Sequence, residues 1–144
     1  MATINPYLSF NGNCEEAFNF YKSVFGTEWC GDIMRYKDMP PSPEFPMPKE
    51  MENKIMHIAL KIGKHNDLMG ADMCEGFGPT PVAGSNFSIC ITADTEAEAK
   101  RLFSELSAGG QVTMPLEKQF WGALFGCCTD KFGIGWMVSF YEKQ

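Results

Sequence analysis

One order of elements is legible twice along the chain, and no other feature limits the possible folds so tightly. Residues 4–11 alternate apolar and polar side chains, as a half-buried strand does. Residues 13–25 carry Ala17, Phe18, Tyr21, Val24 and Phe25 at helical spacing. Asn13 reads as the helix N-cap, with Glu16 three residues on as in a capping box. Gly26 reads as the glycine that ends it. Three strands are expected next: 28–36, with Gly31 marking a bulge, and two more within 55–73. The pattern then starts again. Residues 85–93 form a strand, and 95–106 an amphipathic helix capped by Asp94 or Thr95 and followed by Gly109 and Gly110. Strands are expected at 111–118, interrupted by Pro115, at 121–129 and at 134–141. Halves of about 70 residues with one element order are the signature of a duplicated module. The expectation is an α+β chain of two βαβββ modules, 1–74 and 85–144, joined by a Gly/Pro-rich linker at 75–84 within one structural domain.

The hairpin at 55–73 sets the faces of the first module. Gly63, Lys64, His65 and Asn66 are turn formers between two apolar runs. With Lys64 and His65 as a two-residue loop, Gly63 faces Asn66, Lys61 faces Leu68, Ala59 faces Gly70 and His57 faces Asp72. Alternation then puts Met56, Ile58, Leu60 and Ile62 with Met69, Ala71 and Met73 on an apolar face for a helix. The other face has small residues in its middle and an imidazole opposite a carboxylate, the composition of a cavity wall.

Composition removes several function classes. A net charge of −6, with 12 Lys and Arg scattered among 18 Asp and Glu, offers no basic face for phosphate backbones. No apolar run nears the roughly 20 residues of a membrane span. The first ten residues lack the basic-then-apolar pattern of a secretory signal, so a cytoplasmic protein is expected. In that setting the cysteines at 14, 30, 74, 90, 127 and 128 are expected as free thiols. Five prolines between residues 37 and 53 exclude long regular structure there. Such a loop is a lid, a binding segment or a plain surface excursion.

Several stretches resemble one known group. PYLSFNGNCEEAFNFYKSVFG (6–26), MHIALKIG (56–63), the Asp94-Thr95 helix with its Gly109-Gly110 end, and MPLEKQFWGALFGCCTDKFGIGWMV (114–138) are similar to the PhnB-like branch of the vicinal oxygen chelate superfamily. That superfamily includes glyoxalase I, bleomycin-resistance proteins and extradiol dioxygenases. The resemblance covers nearly the whole chain, and the block from Phe120 to Val138 is its most specific part. It implies two cupped sheets enclosing a cavity. In metal-dependent relatives four sheet positions carry ligands. They fall here on Asn5 or Pro6, Gly70, Ser88 and Met137, none of them His, Asp or Glu. No metal and no cofactor are therefore expected. Some members carry a 3-demethylubiquinone methyltransferase label, yet the helix starts here hold no glycine-rich loop for S-adenosylmethionine.

Candidate site residues follow from the same alternation. His57 with Asp72 is a candidate catalytic pair, the carboxylate fixing the imidazole as a general base. The bland alternative is a cross-strand pair that serves only the sheet. Tyr7, Ser9, Gly70, Ser88, Cys90, Met137 and Ser139 have cavity-side parity, with Thr92 and Tyr141 beside them. Trp121 suits the rim of a ligand pocket, while Trp136 has helix-side parity. The expected function is metal-independent binding of a small molecule by a homodimer, without nucleic acid or membrane as partner. The alternative is an isomerase or lyase that uses His57 and Asp72, with or without help from a metal.

Overall fold

The computed structural model describes residues 2–44, 46–74 and 78–142, so residues 75–77 of the expected linker lie outside it. The chain divides into two compact units, 1–82 and 83–144. The first contains β1 (Tyr7–Phe10), α1 (Cys14–Phe25), β2 (Met34–Arg35), β3 (Ile55–Ile62) and β4 (Asn66–Asp72). The second contains β5 (Ile89–Thr92), α2 (Glu96–Ser107), β6 (Gln111–Lys118), β7 (Ala123–Thr129) and β8 (Gly135–Tyr141). The strand orders are β1-β4-β3-β2 and β5-β8-β7-β6. In each sheet the first strand runs parallel to the last, and the other neighbours are antiparallel. The fold is α+β, with the βαβββ order realised twice.

In the first unit, α1 buries Ala17, Phe18, Tyr21 and Val24. The sheet offers it Leu8, Phe10, Ile58, Leu60 and Leu68, all nearly inaccessible. Phe18 meets Phe10 and Tyr21 edge-on, with ring centroids 6.1 and 5.6 Å apart. Edge-to-face packing of this kind adds to the stabilisation from buried area. A Cβ at Gly70 would stand 2.8 Å from Phe18 Cζ and 2.9 Å from the Leu8 carbonyl oxygen. Glycine at this position makes the notch into which the helix Phe fits. The second unit repeats the device. Ala99, Leu102, Phe103 and Leu106 of α2 are buried, and a Cβ at Gly126 would lie 3.0 Å from Phe103. Trp136, at 1% exposure, lies on the sheet face expected for it.

The hairpin register differs from expectation by one residue. Ile62 pairs with Asn66, Lys61 with Asp67, Leu60 with Leu68 and Ile58 with Gly70. The loop is three residues, Gly63 to His65, opened by Gly63 at φ +64°, a conformation glycine adopts without strain. A one-residue slip exchanges the two faces of a strand. Leu68, Gly70 and Asp72 therefore belong to the helix side, and Met69 and Ala71 to the other. Leu68, Met69 and Ala71 are all apolar, so pattern alone could not choose between the registers. The helix decides, because it needs the notch at Gly70 and the carboxylate at Asp72.

The start of α1 shows a second difference. Asn13 makes no side-chain cap and the capping box does not form. Instead the Gly12 and Cys14 N–H groups each donate to Asp72 Oδ1 at 2.9 Å. The Ile55 N–H donates to Oδ2 at 3.0 Å, and the Tyr36 hydroxyl donates to the Asp72 carbonyl oxygen at 2.5 Å. An anion at a helix start satisfies orphan amides and opposes the helix dipole. Thr95 does cap α2, accepting from the Glu98 N–H. Gly26 ends α1 at φ +62°, as expected.

Other boundaries moved inward. The expected strand 28–36 is divided at Gly31, which has φ +79°. On one side Trp29 bridges to Leu60; on the other only Met34 and Arg35 pair with β3. The proline-rich stretch holds two short 3-10 turns, Tyr36–Asp38 and Lys49–Met51. Around Pro115, β6 departs from regular register on both sides of Met114.

Asp72→Ala would strand two buried N–H donors and one half-buried one, at about 1–3 kcal/mol for each buried donor. We expect a loss of about 3–5 kcal/mol, read from urea unfolding, against about 1–3 kcal/mol for Asp72→Asn, which keeps one acceptor oxygen. Gly70→Ala should cost about 1–3 kcal/mol by overpacking. A neutral result for it would mean that the notch under Phe18 is not tightly filled.

Candidate functional site

Each sheet has one face closed by its helix and one turned away from it. On the face away from α1, β1 places Tyr7 and Ser9, β4 places Met69 and Ala71, and β3 places His57, Ala59 and Lys61. Tyr7 and His57 reach toward each other across β4, where Ala71 leaves room. The Tyr7 hydroxyl lies 3.3 Å from His57 Nδ1, and the rings are 5.9 Å apart at 35°. Burial, with a smaller contribution from Cys14, raises the Tyr7 phenol above its ordinary pKa. The phenol is therefore neutral at physiological pH. It donates to Nδ1 when the ring proton is on Nε2, and accepts from Nδ1 in the other tautomer.

Asp72 does not take part in this arrangement. The register puts its carboxylate on the helix side at 1% exposure, where backbone amides occupy both oxygens. The expected His57–Asp72 pair is corrected on that ground. Gly70 is corrected likewise, since it lies under Phe18 and not on the face of His57. Alternation gives Tyr7 and His57 the right parity but does not bring them together. Their contact depends on β1 lying beside β4, a non-local parallel pairing that no short-range signal marks.

In the second unit, Cys90 and Thr92 of β5, Met137 and Ser139 of β8, and Phe125 and Cys127 of β7 share the face away from α2. Ser139 is 2% exposed; its Oγ lies 3.3 Å from Thr92 Oγ1 and donates to the Ile91 carbonyl at 3.4 Å. Trp121 sits in the β6–β7 connection, half exposed, edge-on to Phe120 and Phe125 with centroids 5.1 and 5.8 Å away. Ser88 lies just before β5, its Oγ close enough to Gly135 to leave no space for a Cβ there.

The positions that bind metal in the superfamily do not fit a divalent cation here. The Asn5 side-chain oxygen already accepts from the Asp67 N–H at 2.9 Å. Gly70 offers no donor atom, and its outward neighbours Met69 and Ala71 supply neither imidazole nor carboxylate. Ser88 and Met137 complete a set that Zn²⁺ or Ni²⁺ would not select. Among the described residues, no three His, Cys, Asp or Glu side chains converge as a metal site. None of the six cysteines is in a disulfide; Cys14, Cys74 and Cys128 are buried, and burial pushes the Cys128 thiol up to about 11.

Known proteins place the chain. The family model described as 3-demethylubiquinone-9 3-methyltransferase matches residues 2–139. Protein YjdN of Escherichia coli is 31% identical over 98% of this chain and 97% of its own length. The crystal structure of protein PA1353 from Pseudomonas aeruginosa is 38% identical, with a TM-score of 0.82 over 99% of this chain and all of that one. A structure of the PhnB protein from Bacillus cereus, described as a putative 3-demethylubiquinone-9 3-methyltransferase, is 28% identical, with a TM-score of 0.72 over 96% and 99% of the two chains. In fold alone, a glyoxalase-related enzyme from Fulvimarina pelagi is also similar, 19% identical at a TM-score of 0.61 over 97% of this chain and 88% of that one. The duplicated βαβββ fold and these matches agree: the chain belongs to the PhnB-like family, which carries the 3-demethylubiquinone-9 3-methyltransferase description.

Proposed function

We propose that this protein binds a small molecule on the face of its first sheet that is turned away from α1, with Tyr7 and His57 as the polar anchor and no metal taking part. The observation that carries this reading is the Tyr7–His57 contact, set among Ala59, Met69 and Ala71. A mostly apolar lining with one or two placed polar groups is what small-molecule sites offer. An aromatic or apolar ligand with a single polar group suits that lining. The second sheet carries a face of similar character in Cys90, Met137 and Ser139, with Trp121 near its end. The same reading includes a homodimer in the cytoplasm.

The methyltransferase description finds little support in the residues. Nucleotide-type cofactors use free backbone amides at a strand-to-helix turn. At the start of α1 the Gly12 and Cys14 amides are held by Asp72, and at α2 the Asp94 and Glu98 amides are held by Glu98 and Thr95 side chains. An isomerase or lyase built on His57 would need another orienting group in place of Asp72, and Tyr7 is the side chain that touches the ring.

The test is thermal shift and two-dimensional NMR with panels of aromatic carboxylic acids and aromatic amines, run in EDTA. A ligand at 100 times its Kd should stabilise by about 2.7 kcal/mol. Its affinity should fall about tenfold or more in His57→Ala and Tyr7→Phe, whose own melting temperatures stay near that of the parent. Stabilisation that requires Zn²⁺ or Ni²⁺, or that survives both substitutions, would sink the reading.

A further inference from the structure

The second sheet carries a row of sulfur atoms across all four of its strands. Cys90 of β5 is in register with Met137 of β8, Met137 with Cys127 of β7, and Cys127 with Met114 of β6. Directly opposed residues share a face, so the four stand side by side on the face away from α2. The row reaches solvent, since Cys90 is exposed, Cys127 and Met137 are half-buried, and Met114 is 44% exposed. On β6 the register shifts on both sides of Met114. Such irregularities re-aim a side chain, and this one leaves Met114 facing Cys127. Neither imidazole nor carboxylate stands in the row.

From this geometry we propose a site for Cu(I), a soft monovalent cation, centred on the Cys127 thiolate with the thioethers of Met137 and Met114 on either side. Soft thiolate and thioether donors suit Cu(I) and exclude hard cations such as Mg²⁺, and two neutral thioethers beside one thiolate fall short of the His, Cys and carboxylate donors of Zn²⁺ sites. One thiolate and one Cu⁺ give a neutral site, which suits a half-buried sheet face. Both methionines are flexible and lie on strands adjacent to β7, so each sulfur can reach a metal over Cys127. Cys90 is one strand further on, beyond Met137. Non-adjacent strands put Cys90 and Cys127 roughly 10 Å apart, past the reach of about 7 Å for a disulfide. The row therefore cannot close on itself by oxidation, and its thiols stay available.

Binding exchanges one proton for one cation. The Cys127 S–H bond breaks, its electron pair goes to Cu(I), and the proton leaves to solvent. No electron is transferred. Burial, and then the charge of Cys90, raise the Cys127 thiol above its ordinary pKa. The free site is thus protonated at neutral pH, and affinity should rise about tenfold per pH unit as the proton becomes easier to lose.

The experiment is anaerobic titration of the phosphine-reduced full chain with Cu(I) held by bicinchoninate, followed by the loss of the chelate colour. One equivalent should transfer to the protein. Cys127→Ser should weaken binding about tenfold or more, and the double substitution Met114→Leu with Met137→Leu by a similar factor. Cys30→Ser, in the other unit, should bind as the parent does. If Cys127→Ser fails to fold, the volume-conserving double methionine variant decides alone. Failure of the parent to take Cu(I) from the chelate would overturn the proposal. So would parental affinity in either the Cys127→Ser or the double methionine variant. These readings are independent of any organic ligand on the first sheet.

Discussion

The carboxylate of Asp72 is the constraint on which the first unit depends. It is a single buried charge, and it is tied to three backbone amides from two separate places in the chain. Gly12 and Cys14 lie at the passage from β1 into α1; Ile55 opens β3. A buried anion is tolerated only when such donors surround it. Once it is placed, the end of β4 must lie under the start of α1, with the first residue of β3 beside it. The hairpin then has no freedom to slip, because a shift of one residue would turn the carboxylate toward the opposite face.

The second unit solves a similar problem with a different acid. Asp130, 3% exposed, lies in the turn between β7 and β8. It accepts from the Phe132 and Ile134 amides and from the indole of Trp136. The buried acid thus fixes a hairpin turn and one large core side chain, whereas Asp72 fixes a helix start. The notches differ in place too. Gly70 lies on the last strand of its module and Gly126 on the third, yet each receives a helix Phe. Two halves with one topology have arrived at the same physical needs, an anchored turn and a seat for an aromatic ring, at positions that do not correspond. That is why the repeat shows in element order and hardly at all in residue identity.

How much of this was legible in the sequence depends on the range of the interactions involved. The helices, their C-terminal Gly26 and their apolar stripes follow from local rules, and they stand where the pattern put them. The second hairpin also followed, since Trp136 and Val138 alternate clearly with the smaller Met137 and Ser139 side. The first hairpin did not, because Leu68, Met69 and Ala71 satisfy either face. What settles it is Phe18, about fifty residues away in sequence, and the amides of Gly12 and Cys14. Asn13 illustrates the same limit: its cap propensity is real, but its side chain makes no cap, and a non-local carboxylate anchors the helix start through the Gly12 and Cys14 amides. An acidic residue closing an otherwise apolar strand was the signal available for Asp72. The same signal fits a catalytic acid, and only the fold shows that its chemistry is that of an anchor for backbone amides.

The correction at Asp72 bears on what the open faces can do. Wherever a side chain has been recruited to satisfy backbone amides, it is no longer available for chemistry, and this holds for Asp72, Asp130, Asn5 and Thr95 alike. The polar groups left over are few. In the first sheet they are a phenol and an imidazole in contact with each other, with Ser9 and Lys61 on the same face; in the second they are thiols and thioethers in register, with the Thr92 and Ser139 hydroxyls beside them. Neither set contains the paired carboxylate and imidazoles that a divalent metal or a strong general base would require. The positions that carry metal ligands in the superfamily this sequence resembles are held here by Asn5 or Pro6, Gly70, Ser88 and Met137. Under the proposed readings, the phenol, imidazole and sulfur donors that remain serve the capture of a ligand or a soft cation.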